Sequence, residues 1–313
     1  MITLTQLEYI VAVDTYRHFG KAAEACFITQ PTLSMQIKKL EEDLEIIIFD
    51  RSKQPLIPTD VGQRIIEQAR IALKQSDEIY NIVKDHKNQI SGMLRIGIIP
   101  TMAPYLLPIF IGHYNKKYPH INIKIYERTT ENIIELLHKD LIDVGILATP
   151  LKEEKIIEKP IFYEEMLVYT NPSHHLHTKK EIRLTDIHTS EIWLLTDGHC
   201  FRDHVINLCS SLEQENNMLP FYFEAGSLEA IMNIIDLEGG ITLIPELAKN
   251  CMSGKRLDNV RTFSDIKPLR EVGLVYSRHF AKHKLINLLW NEIIEVIPET
   301  LRDISRGTMV EWR

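Results

Sequence analysis

AAEACFITQPTLSMQIKKLEEDL, residues 22–44, holds the end of a short helix, a turn and a second helix in one stretch. Thr29 is a good helix N-cap, and Pro31 falls in the first turn, where its missing N–H costs little. Leu33, Ile37, Leu40 and Leu44 then recur on one face. At about 100° per residue the opposite face shows Pro31, Met35 and Lys38, flanked by Ser34 and Lys39, while the acidic cluster Glu41 to Glu45 falls at the far end. The N-terminal half of this helix can approach a phosphate backbone; the acidic end cannot. Upstream, Leu4, Leu7 and Val11 space a helix over residues 4–13, and a short helix runs from about Lys21 to Cys26 after Gly20. Small Ala22 and Ala23 let two helices cross closely. Downstream, IIIFDRSKQPLIP, residues 46–58, sets an apolar run, a polar turn and a second apolar pair, which suits a small β-wing.

From Thr59 to about Lys87 there is no proline, and apolar or small residues fall in adjacent seven-residue rows: Ile65, Ala72, Ile79; Ile66, Leu73, Tyr80; Ala69, Ser76, Val83. This predicts a helix of ~40 Å with a seam for a partner helix, against the plainer reading of a helix packed on its own domain. After Ser91-Gly92 the pattern changes to alternating strands and helices, implying a parallel sheet covered by helices. Strands are expected near 94–98, 121–125, 144–147, 166–170, 192–196, 221–225, 241–244 and 272–276. Helices are expected near 105–118, 133–137, 202–213, 227–237 and 281–297. The count fits two small α/β subdomains with a cleft between them.

Composition excludes several classes. With 313 residues, 44% hydrophobic and 25% charged, the chain is long enough for two or three packed domains and has no disordered tract. Glu8, Asp14 and Arg17 rule out a signal peptide, and no later stretch reaches ~18 uninterrupted apolar residues, so the chain is expected in the cytoplasm and away from membranes. The net charge is −7, and residues 1–58 carry six Lys/Arg against eight Asp/Glu. If this segment binds DNA, the distribution of charge must do what the total does not. Four cysteines, Cys26, Cys200, Cys209 and Cys251, cannot form a secreted-type scaffold; a disulfide in a reducing compartment would be transient or regulatory. His174, His175 and His177 follow Asn171-Pro172 and read as a solvated loop, so no metal is expected. No dinucleotide fingerprint, P-loop, GxSxG, CxxC or HExxH string is present, and no cofactor is expected.

Residues 22–44, together with FDRS at Phe49–Ser52 and GGITLIPEL at Gly239–Leu247, resemble the LysR family of transcription regulators. The resemblance departs at Gly20, where a Thr or Ser cap is common, and at Cys26, where an aliphatic residue is common and core packing is the expectation. It implies a winged helix-turn-helix over 1–58, a linker and dimerisation helix over 59–90, and a regulatory region over 91–300. That region would be two α/β subdomains like those of periplasmic binding proteins, about 91–162 with 268–300, and 163–267; residues 301–313 would be a tail. Gln30, Pro31, Thr32, Ser34, Lys38 and Arg51 are then the residues that meet bases or phosphates.

DGHCFRDHVINLC at Asp197–Cys209, IPTMAPYLLP at Ile99–Pro108 and VGLVY at Val272–Tyr276 look like the hydrogen-peroxide-sensing branch of this family. A thiol that attacks peroxide must be ionised and must have donors near the departing hydroxide. Cys200 is expected to follow a strand and open a helix, with His199, Arg202 and His204 close by, and a helix N-terminus and cations both favour a thiolate. The resemblance assigns Cys200 and Cys209 as the redox pair, Thr101 and Thr130 as hydroxyls for the peroxide, and His199, Asp203 and Arg270 to the polar surround. It implies double-stranded DNA, hydrogen peroxide, copies of the same chain (a dimer through the linker helix and a tetramer beyond it) and RNA polymerase as partners. Two alternatives stay open at this point: a metabolite-responsive regulator without thiol chemistry, and a thiol peroxidase.

Overall fold

The computed structural model describes residues 2–86, 90–188, 191–209, 225–278 and 282–312. The chain divides into two compact units, residues 1–90 and residues 91–278 with 283–313.

In the first unit α1 (Leu4–Tyr16) opens on a reciprocal cap, with Thr3 Oγ1 accepting from the Gln6 amide and Gln6 Oε1 from the Thr3 amide. α2 (Phe19–Ala25) begins earlier than its expected start at Lys21, because His18 Nδ1 accepts from the Gly20 and Lys21 amides at 3.0 and 3.3 Å. Gly20 is therefore inside the helix and is not a weakened cap. Cys26 at the helix end is half-buried and absent from the buried core, contrary to the packing role expected of it. α3 (Gln30–Leu44) does start after Thr29, but the Thr29 hydroxyl lies 2.9 Å from that of Thr32 and makes no cap bond.

Ala22, Ala23, Leu33, Ile37 and Leu40 close around Ile10 and Val13 of α1. Each large side chain so buried contributes about 1.5–3 kcal/mol. β1 (Phe49–Asp50) and β2 (Ile57–Pro58) pair antiparallel as the wing. The long helix α4 (Asp60–His86) changes its environment along its length. Ile66 and Ala69 are buried in the core of this unit, and Arg70 reaches Asp14 of α1 at 2.8 Å. Ile79, Ile82 and Val83 are 62%, 62% and 50% exposed. The plainer reading thus holds for the first half of the helix apart from exposed Val61, and the last turns leave three apolar side chains close together uncovered. The Tyr80 side chain lies outside the described residues.

The second unit runs β3 (Gly92–Ile98), α5 (Ala103–Lys117), β4 (Ile121–Glu127), α6 (Thr130–His138), β5 (Val144–Thr149) and β6 (Ile156–Thr170). Then come β7 (Glu181–Ile182), α7 (Cys200–Leu208), α8 (Leu228–Glu238), β8 (Ile241–Pro245), α9 (Glu246–Asn250), β9 (Val260–Phe263), β10 (Pro268–Ser277), α10 (His283–Val296) and β11 (Thr308–Met309). The strands join in the order β4-β3-β5-β10-β6-β9-β7, with β8 on β6 and β11 on β10. β3 is parallel to β4 and β5, but β10 is antiparallel to both β5 and β6, so the sheet is mixed where a parallel one was expected.

β6 is three times the length expected of it. Its first part pairs with β10 and its last residues pair with β8 and β9, so one strand serves both α/β halves. The strand expected at 192–196 is reduced to single bridges, Ile192 to Ile241 and Leu195 to Ala225. The strand expected at 221–225 falls, except for Ala225, outside the described residues, as does the end of the helix expected to reach 213. No described helix is long and apolar enough to cross a membrane.

Candidate functional site

Two groups of side chains stand out, one in each unit. In the first, Gln30, Pro31 and Lys38 are exposed on α3, and Thr32 and Ser34 are half-buried on the same helix. Lys38 makes one loose pair with Glu42 at 3.5 Å, both side chains being mostly in water. Arg51 of the wing is held more firmly. Its guanidinium lies over the Phe19 ring at 5.2 Å, 3.0 Å from Glu41 Oε2 and 3.4 Å from Ser34 Oγ. Glu41 Oε1 accepts from the Ile48 and Phe49 amides as well. One member of the acidic cluster therefore fastens the wing to α3, a role the sequence signals only as an acid ten residues before a base.

The second group forms where three strand-to-helix turns meet. Thr101 follows β3, Thr130 opens α6 after β4, and Cys200 opens α7 after the bridge at Leu195. The turn before α7 needs Gly198, whose φ of +87° places it in the left-handed region. Ile99, Pro100, Thr101, Thr129, Thr130, His199 and Cys200 surround a space too tight for a water-sized molecule. Asp203 and Arg270 are not among them. Arg270 reaches the site from behind: its Nη1 donates to Thr101 Oγ1 at 3.1 Å and its Nη2 to the Thr101 carbonyl at 3.2 Å.

Arg270 is fully buried and paired with fully buried Glu164 at 2.7 Å. It also lies over the Phe201 ring at 4.8 Å. Glu164, which in turn accepts from the Leu247 amide at 3.1 Å, was not singled out from the sequence, since nothing marks it among the acids of β6. The Thr101 hydroxyl, already accepting from Arg270, keeps its own proton for another acceptor. The Thr130 hydroxyl is buried without an oxygen or nitrogen partner and lies where it favours an ionised Cys200.

The electrostatics correct the expectation of a resting thiolate. Burial pushes the Cys200 thiol up, and the nearby Asp203 charge adds to this; Thr130, the Arg270 charge and the Ala148 amide oppose it. Burial also lowers His199, and takes His204 from 6.5 to about 3, so neither imidazole is a cation at neutral pH. Arg202 pairs with Asp197 at 3.3 Å. Arg270 is thus the cation that counts. Cys209, the C-cap of α7, is also buried and free, its thiol pushed up to about 11 by burial.

His204 gives a pH prediction. Its folded pKa is depressed, so the unfolded chain takes up the proton first, and stability is lost as pH falls from 6.5 toward 3. Relative to wild type, His204→Gln is expected to flatten this limb; urea midpoints at pH 7 and pH 4.5 measure it, and equal slopes for both proteins would refute it.

The histidine loop is less solvated than expected. The His174 side chain is 8% exposed and meets Glu191 at 3.2 Å, and His175 completes a group whose ligand atoms lie within 4.8 Å of one another. His174 Nδ1 accepts from the Leu176 amide, which leaves the proton on Nε2, facing Glu191. That is a hydrogen-bonded pair, and a metal at Nε2 would have to undo it. Cys251 is exposed.

The family models agree with this division. Residues 4–63 match the bacterial regulatory helix-turn-helix protein model of the lysR family, and residues 87–298 match the LysR substrate binding domain. The chain belongs to the LysR family of transcription regulators. Among relatives of this LysR regulator, the hydrogen peroxide-inducible genes activator of Haemophilus influenzae is 34% identical, over 88% of this chain and 90% of that one. The DNA-binding transcriptional dual regulator OxyR of Escherichia coli is 33% identical over 88% and 89%. A full-length OxyR variant from Pseudomonas aeruginosa superimposes with a TM-score of 0.77 at 32% identity, covering 95% of this chain and 99% of that one. The LysR regulator is therefore of the OxyR type, with an N-terminal helix-turn-helix and a two-subdomain α/β regulatory region that match that structure.

Proposed function

We propose that this regulator reads DNA through α3 and its wing and responds to hydrogen peroxide by oxidation of Cys200, followed by a disulfide to Cys209. The observation that carries it is the buried, free Cys200 thiol among Thr101, Thr130 and His199, with the Arg270 charge behind and a second free thiol nine residues on. In the first step the sulfur attacks one peroxide oxygen and the O–O bond breaks. The thiol proton passes to the departing oxygen, giving Cys200 sulfenic acid and water. Thr101 and Thr130 donate to the oxygen that gathers charge. Attack by Cys209 on the sulfenic sulfur then expels a second water and closes the disulfide. The tight space admits peroxide only if its lining shifts, which favours a small oxidant over a larger one.

The exposed Ile79, Ile82 and Val83 on the last turns of α4 support pairing with a second copy of the chain, and the similarity to transcription activators supports RNA polymerase as a partner. Mapping of bound DNA before and after a peroxide pulse tests the reading, with redistribution expected and an unchanged map counting against it.

The DNA face makes a separable prediction. Lys38→Ala is expected to weaken binding across sequences and reduce the salt slope by about one, because one phosphate contact is lost. Gln30→Ala and Ser34→Ala are expected instead to relax sequence preference. Fluorescence titrations at several salt concentrations check both, and wild-type binding by all three variants would remove α3 from the groove.

A further inference from the structure

The end of the chain is fastened to the helix that joins the two cysteines. β11 lies parallel to Pro268–Leu269, with the Thr308 amide donating to the Lys267 carbonyl at 2.8 Å and the Val310 amide to the Leu269 carbonyl at 2.9 Å. This pairing ends one residue short of Arg270 and delivers the last residues onto α7. There the Glu311 carbonyl accepts from Asn207 Nδ2 at 2.8 Å, and Glu311 pairs with Lys152 at 3.2 Å. Trp312, 7% exposed, lies against His204 with ring centroids 6.3 Å apart and planes 28° apart. His204 itself donates from Nδ1 to the Cys200 carbonyl at 2.8 Å, so the tail, His204 and the Cys200 backbone form one connected stack.

His204 and Asn207 both lie between Cys200 and Cys209 in the chain. In a helix those cysteines stand about 13 Å apart along the axis and on opposite faces, whereas a disulfide needs Cα atoms within about 7 Å. Closing it must unwind this segment and carry His204 and Asn207 away from their present places. Contacts made to one state and not the other favour that state.

We infer that residues 308–312 are a strap that holds α7 helical in the reduced protein and sets how readily the Cys200–Cys209 disulfide closes, leaving the reaction with peroxide to the pocket. Trp312 acts through His204 as a positioning residue. The inference rests on the disulfide reading above, in which peroxide oxidises Cys200 to a sulfenic acid and Cys209 displaces water from it.

The test compares full-length protein, a chain ending at Met309, Trp312→Ala and Trp312→Phe. Sulfenic acid is trapped with a dimedone reagent in a Cys209→Ser background, and disulfide closure is followed by acid quench and mass spectrometry. The trapping rate is expected to stay within about twofold, while closure accelerates about tenfold in the shortened chain and in Trp312→Ala, and Trp312→Phe, which keeps a ring against His204, stays near wild type. In a thiol buffer the two loosened chains are expected to hold the disulfide at about tenfold lower oxidant ratio. Equal closure rates in all four proteins would overturn the strap and leave the disulfide reading intact. A wild-type chain that forms no disulfide at all would overturn both.

Discussion

Cys200→Ser is expected to abolish the peroxide response altogether, because the hydroxyl that replaces the thiol is no nucleophile toward peroxide at neutral pH and no other described cysteine shares the pocket. Cys209→Ser is expected to keep the first step and lose the second. Sulfenic acid should then persist and pass to sulfinic acid under excess oxidant, since the sulfur that resolves it is gone. Peptide mass spectrometry after a brief peroxide pulse reads all three species, and DNA binding by the reduced variants should match wild type because α3 and the wing are in the other unit. A wild-type chain without a Cys200–Cys209 linkage, or a Cys200→Ser chain that still responds, would end the disulfide account while leaving the family assignment untouched. Because Cys200 is held mostly as a thiol by burial, its reaction should also speed up as pH rises, a trend that a resting thiolate would not show.

Glu164→Gln should have the largest effect on stability of any single substitution near the pocket. Removing one partner of a fully buried ion pair strands the other, at a cost of about 3–5 kcal/mol. For a unit of this size that corresponds to a fall in Tm of roughly 6–20 °C. The double change Glu164→Leu with Arg270→Met removes both charges and is expected to recover most of the loss, since well-packed apolar replacements of buried pairs are often neutral. It should not recover reactivity. Without Arg270 the Thr101 hydroxyl loses its anchor and Cys200 loses a nearby positive charge, and loss of a positioned donor slows such steps by roughly 100-fold to 1,000-fold. Calorimetry and stopped-flow oxidation separate the two quantities; a double variant that is stable and oxidised at the wild-type rate would show that the pair serves the fold alone.

The periodicity of Leu33, Ile37 and Leu40 and the small Ala22 and Ala23 determined the helix-turn-helix without any help from long-range contacts, because side chains three and four apart share a helix face whatever surrounds it. The wing, the long α4 and the α/β character of the rest were legible for the same local reason, and the strings around Cys200 marked the pocket through their likeness to relatives. Sheet direction was not legible. A strand of β6's length can pair with two halves at once, and only its partners decide that β10 runs against both neighbours. Nor could the sequence disclose the ionisation of the site. His199 and His204 count as cations in a string of letters, but burial discharges both, and the charge that remains comes from Arg270, distant in sequence and held by Glu164. The docking of Trp312 on His204 belongs to the same class, joining residues more than a hundred apart through a strand pairing that no local pattern encodes. Local spacing set the helices and strands; desolvation and long-range pairing, which exist only in the folded chain, set the chemistry.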